Sequence, residues 1–243
     1  MKEDIEQRII DLNDQVTHLY EQGEYEQAIA IAQQVRQIAE RHLPPNHRHA
    51  VDSLNTLAVL FVANGDYTTA GPLQERALQL YRDILEPDDP TLVVALSNAA
   101  NVYELKGDYA KAEPLLHEAL ERTLKMRGEH TPDHALCLNN LALFYYRLRQ
   151  YARARPYFLQ AMKIYREEGM EEDSDFANTL DNLAGLYEAM GQYEQARPLY
   201  EEALQMREKI CGKDHPDYAS SLNNLAYLYE SMKNYSAAEA LYQ

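Results

Sequence analysis

A tyrosine recurs at Tyr25, Tyr67, Tyr109, Tyr151, Tyr193 and Tyr235, 42 residues apart each time. In the same phase an alanine follows three residues later, at Ala28, Ala70, Ala112, Ala154, Ala196 and Ala238. A leucine precedes by thirteen, at Leu12, Leu54, Leu96, Leu138, Leu180 and Leu222. A unit this short cannot bury an apolar face alone, so units repeated without insertions must stack and share a core. The 243 residues therefore do not count domains. They predict one array over 1–243, in repeats of approximately 10–51, 52–93, 94–135, 136–177, 178–219 and 220–243, the last cut short in its second helix.

Within one unit, "LNNLALFYY" (138–146) sets Leu138, Leu141, Ala142 and Tyr145 at the i, i+3, i+4, i+7 spacing of a buried helical face. After a turn, "YARARPYFLQAMKIY" (151–165) predicts a second helix that buries Ala154, Phe158 and Ala161. The turn carries Gly23, Gly65, Gly107 or Gly191, but Arg149 and Lys233 in the fourth and sixth repeats, where a less relaxed turn is expected. Between units, Asp89, Thr131, Asp173 and His215 align as N-caps, with Pro90, Pro132 and Pro216 at the first helical position. With 46% apolar residues and only 9 glycines and 10 prolines, the composition suits helices and not a loop-rich β fold.

Leu138, Leu141, Ala142, Tyr145, Ala154 and Phe158 follow, in order, the tetratricopeptide signature, with leucine for its tryptophan and alanine for its glycine. The period of 42 in place of 34, the "LNNLA" helices and the "GKDHPD" linker resemble the repeats of kinesin light chain over nearly the whole chain. Repeat one, with Gln15 and Val16 where others have Leu and Ala, departs most, as a terminal cap would. The resemblance implies an all-α, right-handed superhelical α-solenoid of antiparallel helix pairs, about five and a half repeats long. It also implies a cargo or adaptor scaffold that binds an extended peptide or partner segment in its concave groove. In that family a heptad coiled coil joins the repeats to a motor heavy chain; no heptad segment stands before repeat one here, so the binding role is what carries over. Arrays of this length also resemble the sensor regions of bacterial signalling NTPases, which supplies the alternative reading.

On a projection of roughly 100° per residue, the first helix turns two polar columns away from its core face. One is Asn13, Asn55, Ser97, Asn139, Asp181 and Asn223, and the other is Asp14, Thr56, Asn98, Asn140, Asn182 and Asn224. Asparagine is a mediocre helix former, so its recurrence calls for a reason. A carboxamide both donates and accepts and could pair with the backbone of an extended peptide. For the first column, fixing the stacking of neighbouring helices is an equal alternative; for the second, nearly opposite the core, ligand contact is favoured. In tetratricopeptide arrays this side lines the groove, whose candidate residues here are Asn98, Asn101, Asn139, Asn140, Leu143, Tyr146, Arg147, Asp181, Asn182, Glu188, Asn223, Asn224, Tyr227 and Glu230. Arg147 is the sole basic member, and Glu104, Asp181, Glu188 and Glu230 make the face acidic.

A neutral or basic peptide with apolar anchors is therefore the expected partner, and acidic chaperone tails are not. A net charge of −16 argues against nucleic acid, which needs a cationic footprint. No apolar run approaches the roughly 18 residues of a membrane span. The opening "MKEDIEQRII" has no basic region followed by an apolar one, so an uncleaved cytoplasmic protein is expected. The stretch after Tyr235 leaves Leu222, Leu225 and Tyr229 half-covered, open to a second copy or a further repeat. No nucleotide loop, nucleophile elbow or zinc-helix motif occurs, and neither an enzyme nor a cofactor is expected. His42, His47, His49, His130 and His134 read as solvated linker residues, not metal ligands. The acids Glu167, Glu168, Glu171, Glu172 and Asp173 read as a hydrated linker, and Arg147, Arg149, Arg153 and Arg155 as a basic turn. Cys137 and Cys211 have neither disulfide nor metal spacing.

Overall fold

The computed structural model describes residues 2–170 and 172–242, so Glu171 of the acidic linker and the terminal Gln243 lie outside the described residues. Twelve α-helices and no strand occur among them. They pair as α1 (Lys2–Glu21) with α2 (Tyr25–His42), α3 (Arg48–Ala63) with α4 (Tyr67–Ile84), and α5 (Pro90–Leu105) with α6 (Tyr109–Arg127). The remaining pairs are α7 (Pro132–Arg147) with α8 (Tyr151–Glu167), α9 (Ser174–Ala189) with α10 (Tyr193–Cys211), and α11 (Pro216–Ser231) with α12 (Tyr235–Tyr242). The second helix of every pair starts at the repeating tyrosine. From α3 on, pairs begin four residues before the repeat limits drawn from the sequence, because the N-caps and not the leucines open each unit, and α1 begins eight before.

The turn within a pair is a helix C-cap with one left-handed residue. In repeat three Gly107 has φ of 76° and the Asp108 N–H bonds the Tyr103 carbonyl at 2.8 Å, the six-to-one closure of a Schellman turn. Arg149 and Lys233 take the same conformation, with φ of 57° and 60°, at the two turns that lack glycine. So short a turn sends the second helix back antiparallel along the first.

The expected caps form. Asp89 accepts from Thr91 N–H at 2.8 Å, Thr131 from His134 N–H at 3.3 Å, Asp173 from Asp175 N–H at 2.7 Å, and His215 Nδ1 from Asp217 N–H at 3.2 Å. His47, one period before Asp89, caps α3 through Nδ1 in the same way. The linker histidines thus divide: His47 and His215 cap helices, and His134 is buried in the first turn of α7 against Thr123, 3.2 Å away. Burial pushes the His134 pKa down, which corrects the reading of this residue as solvated.

The chain divides into two compact units, Met1–Arg122 and Thr123–Gln243. In each, successive pairs stack: α2 packs on α3 and α4 on α5 in the first unit, α8 on α9 and α10 on α11 in the second. The repeating alanines sit where the helices of a pair cross, and Ala28, Ala70, Ala112, Ala154 and Ala196 are fully buried. In the second unit the predicted set Leu138, Leu141, Ala142, Tyr145, Phe158 and Ala161 forms the heart of the core. The two cysteines are free thiols, and burial pushes that of Cys137 up to about 11.

Candidate functional site

Facing away from that core, the first helices carry the two polar columns, and the structure shows what they do to each other. Asn182 Nδ2 on α9 donates to Asn139 Oδ1 on α7 at 3.1 Å, and Asn98 Nδ2 on α5 donates to Asn55 Oδ1 on α3 at 3.4 Å. Asn224 on α11 likewise hydrogen-bonds Asp181 on α9. Asn98, Asn182 and Asn224 thus each reach back to the first-column group one repeat earlier. The expectation that packing gives this column no role does not hold for Asn98, Asn182 and Asn224, which tie neighbouring first helices together. Asn139, only 5% exposed, is an acceptor in this ladder. In the first unit the Gln74 amide also donates to Asn55 Oδ1, at 3.1 Å.

Among the described residues the side chains of Asn101, Asn140 and Asn223 have no hydrogen-bond partner, although they stand in the same columns or one turn along. Each keeps two donors and an acceptor oxygen that no described group of the chain uses.

Asp181 also differs from the sequence reading. It is not an acid exposed to a ligand: Arg207 reaches it from α10 at 3.3 Å, and the two side chains are 12% and 9% exposed. Arg207 further donates to Asn178 Oδ1 at 2.6 Å and pairs with Asp217 at 3.2 Å, while Ser221 donates to Asp181 Oδ2 at 3.2 Å. Burial raises the Asp181 pKa against the pull of Arg207 and these hydrogen bonds. The acidic character of the face therefore lies elsewhere in the second unit, with Glu188 and Glu230. Arg207 went unread because its column otherwise holds Ala39, Tyr81, Thr123 and Tyr165; its departure from that pattern was the available signal. Tyr81 does the equivalent work in repeat two, donating to Asp52 Oδ1 at 2.6 Å.

Glu188 and Glu230 border a cleft of about 520 Å³ on the first-helix face of the second unit. It unites five predicted groove residues, Tyr146, Glu188, Asn224, Tyr227 and Glu230, with Tyr200 of α10, which the sequence did not single out. Tyr200 donates to Glu188 Oε2 at 3.2 Å and Ser231 to Oε1 at 3.0 Å. Burial and the Glu188 charge raise the Tyr200 pKa, so the phenol stays a donor. Leu143 is partly buried on α7 and Arg147 is exposed at its end, neither lining the cleft.

The repeating architecture has a match in sequence. A tetratricopeptide repeat profile fits residues 9–83, 51–125, 91–167 and 175–243. The chain belongs to the tetratricopeptide repeat family. BtubC (BKLC) from P. vanneervenii resembles it with a TM-score of 0.72 and 26% identity, over 89% of this chain and 87% of that one. A protein from Podospora anserina, described as a kinesin light chain with nearly identical TPR-like repeats, gives 0.70 and 22% over 83% and 95%. A Rap protein complexed with competence and sporulation factor gives 0.68 and 16% over 94% and 70%. The last two show the fold alone. No curated protein sequence matches. This tetratricopeptide array has the helix pairs of an interaction scaffold, and no described helix is long and apolar enough to cross a membrane.

Proposed function

We propose that this protein is a non-catalytic scaffold of the kinesin-light-chain-like adaptor type, which holds an extended peptide or partner segment along its first-helix faces. The observation that supports this most is the division of the asparagines. Some close a ladder between repeats, while Asn140 and Asn223 keep unspent amides on α7 and α11, the helices that bring Tyr146 and Tyr227 to an aromatic and acidic cleft. The ladder sets the spacing of the helices, and the unspent amides offer donors and acceptors to a polymer that carries its own. Tyr146, Tyr227 and Leu143 supply apolar contact, and Glu188 and Glu230 favour a neutral or basic segment.

A peptide-array survey with the purified protein supplies the ligand, and two variants then separate the roles. Asn140→Ala with Asn223→Ala should weaken the selected peptide by about 0.5 to 1.5 kcal/mol per amide and leave the melting temperature within error, since neither amide has an internal partner. Asn182→Ala should instead lower stability by about 1 to 3 kcal/mol, because it strands the buried Asn139 oxygen. A double variant with unchanged affinity would sink the groove reading.

A further inference from the structure

Gly185 stands in the interior of α9, where glycine is the poorest helix former after proline. Nothing in the backbone requires it: Gly185 is absent from the positive-φ glycines, and no backbone atom lies within 4 Å of where its Cβ would be. The nearest atoms are the phenol oxygens of Tyr200, at 3.4 Å, and Tyr146, at 3.7 Å. Repeats at the same position carry Thr17, Val59, Asn101, Leu143 and Tyr227. Turn geometry does not ask for glycine here; a Cβ would stand in van der Waals contact with the two phenols, and a longer side chain would enter the cleft that they and Gly185 line.

The walls of that space share one kind of chemistry. Tyr146, Tyr200 and the 60% exposed Tyr227 present aromatic rings, and Glu188 and Glu230 present carboxylates. No lysine or arginine lines the cleft, and among the described residues none pairs with either acid. Tyr200 and Ser231 hold one donor on each Glu188 oxygen, which fixes the carboxylate and leaves each oxygen a further lone pair toward the opening. Glu230 accepts from Tyr242. Aromatic faces with fixed carboxylates select a cation, and a planar guanidinium, which stacks on rings and pairs bidentately, fits better than a compact ammonium.

We infer that the Gly185 cleft is a specificity pocket for one arginine side chain of the bound segment, stacked among Tyr146, Tyr200 and Tyr227 and paired with Glu188. This rests on the groove reading for the rest of the segment, but the pocket is testable without it. The backbone of the segment would lie along the first-helix face, with the arginine turned down between α7 and α11.

The probes are N-acetyl-arginine methylamide and its neutral counterpart, N-acetyl-norleucine methylamide, titrated into the full chain and followed by amide chemical shifts. The arginine compound should move Gly185, Tyr227 and Ser231 with a saturating curve that weakens as salt is added. The norleucine compound should leave them in place. Glu188→Gln should weaken the arginine compound ~10-fold or more. Gly185→Leu should abolish its binding, since the added side chain would occupy the place beside Tyr200 and Tyr146 that the guanidinium takes. Equal binding of the two compounds, or an arginine affinity indifferent to Glu188→Gln, overturns the pocket. Array peptides that depend on Asn140 and Asn223 but show no arginine preference would overturn the pocket and keep the groove. Binding of the arginine compound alone, with no peptide sensitive to those amides, would keep the pocket and overturn the groove.

Discussion

Arg149 and Lys233 have to adopt a backbone that seven other turns or loops give to glycine at φ between 67° and 87°. The left-handed region costs an L-residue roughly 1 to 2 kcal/mol, partly offset because glycine loses more chain entropy on folding. Arg149→Gly and Lys233→Gly should therefore each raise stability by about 0.5 to 1 kcal/mol in urea denaturation. A loss in either would mean that the side chain earns more in contacts than the turn costs. Arg207 is a different case, since its cost is desolvation and not strain. With both side chains nearly buried, Arg207→Ala leaves the Asp181 carboxylate without its counter-charge and should cost ~3 to 5 kcal/mol near neutral pH. The folded-state Asp181 pKa is already raised, so between the ordinary aspartate range and that raised value the folded chain binds a proton the unfolded chain has released, and stability falls as pH rises. Removing Arg207 raises it further and widens that window. The deficit of the variant relative to the parent should accordingly shrink as pH falls from neutrality toward the ordinary aspartate range, because protonation removes the charge that Arg207 no longer balances. A deficit independent of pH would place the loss in packing.

Helix pairs are held at two kinds of contact, one legible in the sequence and one not. The alanine column was legible because close crossing permits only a small residue, and such a constraint recurs identically in every unit. Ala154 is fully buried between α7 and α8, and Ala154→Leu should destabilise by ~1 to 3 kcal/mol through overpacking, read as a lower melting temperature. An unchanged transition would contradict the observed packing. Caps and turns were equally legible, since each rests on one residue and its own backbone. The amide ladder was not: phase around a single helix turns Asn139 and Asn182 away from the leucine stripe, but Asn139 is buried all the same, and their hydrogen bond depends on how far one first helix slides along the next. The same holds for Asp181, whose partner comes from a second helix, and for the Gly185 cleft, where a missing side chain becomes informative only once Tyr146 and Tyr200 are seen above it.

At the scale of the whole molecule, a stacked array has no single centre, and its stability is a sum of pair terms and nearest-neighbour interfaces. Burial along the chain follows from that sum. In the second unit α7 buries nine residues, α9 seven, and α8 and α10 five each, with Leu138, Leu141, Phe144, Tyr145, Phe158, Leu180 and Leu183 at 2% exposure or less. The described part of α12 buries Ala238 alone, and α11 buries four residues. In the first unit α3 and α4 bury six and seven, whereas Ile9 and Val16 are the fully covered apolar side chains of α1. A helix that contributes little to the core can open without unfolding its neighbours. Native-state hydrogen exchange should therefore grade along each unit and not report one global event. Amides in α7 to α10 should be slowest, those in α3 and α4 close behind, and those in α1 and α12 faster than α7 by ~100-fold or more. A bound segment that crosses α7, α9 and α11 would slow α11 and α12 most, since they have the least intrinsic protection to begin with. Uniform protection across all twelve helices would show that the chain folds as one cooperative block, and the nearest-neighbour account would fail.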